Sequence, residues 1–392
     1  MKAKLLIIII LSLLVGGCIP STPTTSNINN EECIPPLYNI AFPIVTHVPG
    51  SDIPRQLAPQ GNWQIQDELP FPQNELGHFV FRPKQNEFWF TVPGSNKISR
   101  YFINNKQWKT YQAVGWTLSV PDSLFVANDG TVWGAGIRFT TNNSSGENYP
   151  FLSRFNDATD RFEYVEDTSG FLQIPQVRLV SNIAEDPYGL LWFFVEGEDQ
   201  TLVSFDSKTG RSQQHYYRNR GGNGKLAIRT DGSVWFGDVF KNHIIQYIPL
   251  SQETRIYKGY PEPAEFGGLE FDLSEVNYLF FDHSGRLWLA NNGWLDLSNA
   301  DLPVWYQIIE SPVFITEVGL PLSRYAISYQ YSTFQSSNDW YWFTGGSGIV
   351  RLDLEKGTWC LMTTGASEVF EDSDQNLWIA VFGHLYKYAL KR

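Results

Sequence analysis

The chain has 392 residues, with 41 acidic against 29 basic side chains and a formal net charge of -12. An acidic balance of that size argues against nucleic acid as a partner and against electrostatic attraction to anionic lipid. With 42% hydrophobic and 15% aromatic residues the chain can build a large core, and its length alone would suggest two or three domains.

At the N-terminus, Lys2 and Lys4 precede an apolar run from Leu5 to Leu11 that continues to Val15, followed by Gly16 and Gly17. Charged, apolar and small-residue regions in that order make a secretory signal. The run is shorter than the roughly 20 residues that span a bilayer. Val15-Gly16-Gly17-Cys18 resembles the bacterial lipoprotein signal, which implies cleavage before Cys18 and lipidation of its thiol. Residues 1–17 are therefore read as signal peptide and 18–60 as a lipidated tether and entry segment, opening on the polar stretch Ile19 to Asn30. Losing Lys2 and Lys4 takes the net charge to about -14. Ile19 stands where such lipoproteins carry Asp for inner-membrane retention, so the resemblance implies the outer membrane or outer cell surface. With Cys18 given to lipid, Cys33 and Cys360 remain, and an export route permits a disulfide between them.

From residue 61 on, one phrase recurs: a polar turn, a hydrophobic residue, Trp, then strand formers. Its tryptophans are Trp89, Trp133, Trp192, Trp235, Trp288, Trp342 and Trp378, separated by 44, 59, 43, 53, 54 and 36 residues. Repeats of this length are propeller blades, small sheets that bury their faces only by stacking on neighbours. Asp129-Gly130 and Asp231-Gly232 read as two-residue hairpin turns with positive φ at both positions. Each Trp is assigned to packing between blades.

In the third copy, period-two alternation marks strands A to D at Leu179 to Glu185, Leu191 to Val195, Thr201 to Asp206 and Arg211 to Tyr217. Outer strands of the same type follow in six copies, the sixth being Thr358 to Met362. The last copy lacks one, whereas Asn62 to Gln66 is an orphan outer strand upstream. The expectation is an all-β fold over residues 61–392: a single seven-bladed β-propeller of four-stranded blades, its ring closed by this N-terminal strand. Blade arithmetic also brings the entry segment near blade six, so a Cys33 to Cys360 disulfide is expected.

Ala184-Glu185-Asp186-Pro187-Tyr188-Gly189-Leu190-Leu191-Trp192 resembles the two-component regulator propeller repeat, as do the stretches before Trp288 and Trp378. Asp231-Gly232-Ser233-Val234-Trp235-Phe236-Gly237-Asp238 is also similar to the virginiamycin B lyase propeller. The first resemblance implies an extracytoplasmic sensing propeller, although neither a transmembrane helix nor an output domain follows the last strand. The second implies a His and acidic residues around a metal ion, which do not map onto this chain one by one.

In such propellers the D-to-A and B-to-C loops share one face around the channel. The long ones here are Ala113 to Ser123, Gly136 to Pro150, Asp167 to Gln176, Gly259 to Glu275 and Glu310 to Arg324. The richest carries Glu262, Glu265, Glu270 and Asp272 among aromatics, a contact surface for a cation, sugar or peptide. Arg138, Glu196, Asp238, Asn291, Trp294 and His384 lie just beyond strand B and are expected near the channel mouth. The six histidines show no zinc-ligand spacing, and the chain lacks the linear motifs of common catalytic sites. Cofactor and metal stay unassigned, and no catalytic residue is named. The function read from the sequence is a lipid-anchored, monomeric binding or scaffold propeller for a carbohydrate, peptide or protein. The alternative is a propeller enzyme such as a metal-dependent lyase or lactonase.

Overall fold

The computed structural model describes residues 32–34, 38–42, 63–70, 79–91, 97–112, 120–139, 148–170, 179–196, 200–218, 226–238, 243–258, 279–289, 293–298, 304–309, 330–345, 348–354, 358–363, 366–381 and 384–390. They form seven antiparallel sheets, one per repeat. Blade three is representative: strands A to D are Leu179–Glu185, Leu190–Glu196, Gln200–Asp206 and Arg211–Arg218, within a residue or so of their expected limits. Blade seven has Ala366–Glu371, Leu377–Val381 and His384–Leu390, and its outer strand is Trp63–Pro70 from the other end of the domain. Trp63 lies opposite Leu390 and Pro70 opposite His384. The ring is thus closed by the N-terminal strand.

Seven apolar clusters fill the seven interfaces, and each repeat Trp faces the following blade. Trp192 packs with Leu226, Val234 and Phe236 of blade four, and Trp378 with Phe79, Phe88 and Phe90 of blade one. Six of the seven are under 2% exposed. Each such indole removes about 200 Å² from water, worth about 5 kcal/mol of gross transfer free energy.

The strand A to strand B connection supplies the indole acceptor for five of the seven tryptophans. All seven connections are four or five residues long, from 83–86 in blade one to 372–376 in blade seven. In all seven an N–H at the fourth position donates back to the first carbonyl, as Gly189 does to Asp186 at 3.0 Å. That fourth residue has positive φ, with Asn86, Asp339 and Gln375 standing where four blades have Gly. Asp129 and Asp231 do not share the positive φ of the glycines that follow them. The expected two-residue hairpin is therefore replaced by a type I turn followed by one left-handed residue, the longer hairpin geometry.

In blades three, five and seven the first turn residue is Asp, and it organises everything around it. Asp186 Oδ1 accepts from the backbone N–H groups of Tyr188 and Leu190, and Oδ2 accepts from Trp192 Nε1 at 2.9 Å. Asp282 and Asp372 repeat this on Trp288 and Trp378. Ser336, Ser233 and Glu87 supply the acceptor for Trp342, Trp235 and Trp89. Neighbouring turns are stapled as well. The second turn residue donates its N–H to the last side chain of strand A in the next blade: Asn128 to Glu185, His283 to Gln335 and Ser337 to Glu371.

Two strands inside the expected tether segment were not anticipated. Glu32–Ile34 adds a fifth strand outside blade six, and Tyr38–Phe42 adds one outside blade five. They cover the exposed edges of Thr358–Thr363 and Val304–Ile309.

Candidate functional site

The two ends of the ring differ in construction. At the end carrying the A-to-B turns, connection length is nearly constant. At the other end the D-to-A connections run from two residues (364–365) to twenty (259–278 and 310–329). Variable connections on a uniform scaffold are where binding diversity is carried.

At this variable end, strand register sets a row of polar positions on each of blades three and four. Phe194 and Leu202 of blade three are buried against Phe236 of blade four. Strand alternation then assigns positions 196 and 200 to the same face of blade three. Strand B of blade four, Val234–Asp238, turns Val234 and Phe236 back toward blade three, so position 238 falls on the opposing face. Register extends both rows: Glu196 lies opposite Gln200 and Gln200 opposite Arg218, while Asp238 lies opposite His243 and His243 opposite Lys258. Beneath them, Phe194 and Phe236 meet edge to face with centroids 5.2 Å apart.

Gln200 is the informative member. Its side chain is buried at 2% exposure, and among the described residues neither its amide oxygen nor its amide nitrogen has a hydrogen-bond partner. An unsatisfied buried polar group costs about 1–3 kcal/mol, so such a group points to a partner that is recruited. The sequence puts two acidic and two basic residues at these register positions, in formal balance. Sequence reasoning named Glu196 and Asp238 as candidates and did not name Gln200, whose position beside them follows only from register.

The remaining expected positions fare differently. Arg138, in Val132–Phe139, shares the face of Val132, which packs against blade one, and so lies outside this layer. Trp294 does not follow strand B: that strand ends at Leu289, and Trp294 sits in strand C, Gly293–Asp296. It is 6% exposed and packs on Trp288 at 4.9 Å, so its ring belongs to the wall between blades five and six. The loop beginning at Asp167 also departs from expectation, because its first residues are pinned to blade three. Asp167 is buried and accepts from Ser212 Oγ at 2.9 Å, and Thr168 donates to the Gly210 carbonyl. Asn291, Glu262, Glu265, Glu270, Asp272 and Cys18 lie outside the described residues. His384 opens strand C of blade seven.

Among the described residues, a buried charge cluster at the constant end is structural. Glu87 accepts from Trp89, Arg82 and Arg100, and Arg82 reaches Asp157 of blade two at 2.5 Å. Burial pushes the neighbouring Tyr111 hydroxyl up to about 12. Among the described residues, no group of three His, Cys, Asp or Glu side chains could hold a metal ion.

No family profile matches the chain, and no curated protein matches it. Solved structures do. A virginiamycin B lyase from Staphylococcus aureus is 17% identical over 84% of this chain and 100% of its own, with a TM-score of 0.59. A streptogramin B lyase is 16% identical over 83% and 97%, with a TM-score of 0.56. The extracellular domain of a hybrid two-component system from Bacteroides thetaiotaomicron is 17% identical over 80% of this chain and 40% of that one, at 0.53. At these identities the likeness carries the architecture, and the chain is a seven-bladed β-propeller of four-stranded blades.

Proposed function

We propose that this protein is a lipid-anchored, extracytoplasmic propeller that binds a ligand at the variable end of its ring, centred between blades three and four. The observation that carries the reading is Gln200, buried with no partner for either amide atom among the described residues, at a register position in the row of Glu196 and facing the row of Asp238. The anchor rests on the Lys2 to Cys18 pattern, and Ile19 favours the outer membrane or outer surface. The extracellular propeller of the two-component system is a precedent for sensing by this architecture. The ligand class is a carbohydrate, peptide or protein recognised by a monomer, and the acidic charge disfavours nucleic acid.

Detergent-solubilised full-length protein is screened against panels of neutral oligosaccharides and of peptides, with and without a chelator. The reading expects saturable binding that is indifferent to chelation and is weakened by Gln200→Leu. Turnover of a bound compound that stops on chelation would instead establish a metal-dependent lyase or lactonase. Binding undisturbed by every substitution at 196, 200 and 238 would remove the site from between blades three and four.

A further inference from the structure

We infer that Cys33 and Cys360 form an intramolecular disulfide that clamps the N-terminal segment to the rim of the ring. Cys33 is the central residue of the strand added to blade six, and its register partner is Cys360, with Glu32 opposite Leu361 and Ile34 opposite Trp359. Directly opposed residues of an antiparallel pair have Cα atoms about 4.5–5.5 Å apart, inside the roughly 4.4–6.8 Å that a disulfide requires. A shift of one residue in either direction would part the two cysteines, so the register itself singles out the pair.

A covalent link has a mechanical purpose here. A strand of three residues is at the short end of the ordinary range and makes few ladder hydrogen bonds. The same segment goes on to add Tyr38–Phe42 to blade five and then supplies the outer strand of blade seven. A bond at residue 33 therefore fastens a strap that touches three consecutive blades and hides two sheet edges that could otherwise pair with another chain. The thiols are oxidised by exchange with a disulfide-bearing oxidase of the extracytoplasmic space. The two cysteines give up two protons and two electrons, one sulfur–sulfur bond forms between them, and the oxidase disulfide is reduced to two thiols.

The test uses the full chain, exported and extracted from membranes, alkylated without reduction and digested for mass mapping. The expected result is one species joining the Cys33 and Cys360 peptides, two hydrogens lighter than their sum and separated by reductant. Alkylation of both cysteines before reduction would overturn the inference, and so would a Cys18 to Cys33 link. A second readout nicks the chain with protease between residues 43 and 62. The N-terminal fragment should stay with the propeller until reductant is added, and should leave without reductant in Cys360→Ser. If that variant fails to fold, the wild-type mapping still decides. Neither readout depends on ligand binding, so this inference and the binding site stand or fall separately.

Discussion

Trp192 Nε1 donates to Asp186 Oδ2 at 2.9 Å from a site where the indole is fully buried. Asp186→Ala would leave that donor and two turn N–H groups without their acceptor. Losing one partner of a buried, charge-assisted bond costs about 2–4 kcal/mol. Thermal unfolding should show a clear drop in midpoint for Asp186→Ala and a smaller one for Asp186→Asn, whose side-chain oxygen can still accept. An unchanged midpoint in both would mean that the turn does not hold the Trp.

Tyr188 of blade three lies under Gly232 of blade four, and a Cβ built on Gly232 would stand 2.9 Å from the Tyr188 ring. Gly285 has a similar positive φ of 78° but nothing within 4 Å of its Cβ position. Gly285→Ala should therefore lose only the backbone preference, about 1 kcal/mol. Gly232→Ala should lose more, and Tyr188→Ala should restore most of the difference. Denaturation midpoints of the three variants and the double variant decide this, and equal losses at both glycines would rule out the contact.

The two glycines also show what was legible in the chain. The repeat of turn and Trp marked the blades, because each must bury the same two faces and so reuses the same residues, and the outer strands with the orphan Asn62 to Gln66 gave their number and the closure. The acid six positions before Trp192, Trp288 and Trp378 was visible too, and its hydrogen bond explains why the strand end is acidic. The strands at residues 32–34 and 38–42 carried no readable alternation beside Pro35 and Pro36, and their pairing is decided by open edges elsewhere in the ring. Trp294 misled because the B-to-C link of blade five is only residues 290–292, which moves it into the next strand. Gln200 could not be found from the sequence, since a lone amide in a strand means nothing until its neighbours across the blade and the interface are known.

His215 supplies a pH dependence. It sits between blades three and four, with Ser204 Oγ 2.7 Å from Nε2 and the Tyr247 hydroxyl 3.1 Å from Nδ1, and burial lowers its pKa to about 4. The unfolded chain takes up a proton near pH 6.5, whereas the folded chain stays neutral until about pH 4. The stability contribution is therefore complete above pH 6.5 and is lost as pH falls toward 4. Asp157 is held below its ordinary range by its hydrogen bonds to Arg82. Asp282 is also low: its burial acts to raise the pKa, but bonds from Trp288 and Arg286 outweigh it. Those carboxylates lose their contribution only below about pH 4. Unfolding midpoints measured between pH 7 and 4.5 should fall in the wild type and stay flatter in His215→Gln. A parallel decline in both would assign the window to another group.

The Gln200 prediction separates a binding role from a structural one by sign. Leu is close to Gln in size and carries no polar atoms, so Gln200→Leu removes a buried amide without a partner among the described residues while keeping the packing. If the amide exists for a ligand, the variant should unfold at the same temperature as wild type or higher, while binding weakens about tenfold or more. That corresponds to the loss of one well-made polar contact, about 1.4 kcal/mol. Glu196→Gln and Asp238→Asn should weaken the same ligand without a comparable gain in stability, because their row positions lie at the end of the strands. A Gln200→Leu variant that unfolds several degrees lower would show that the amide is satisfied within the fold, and the polar layer between blades three and four would then be part of the scaffold.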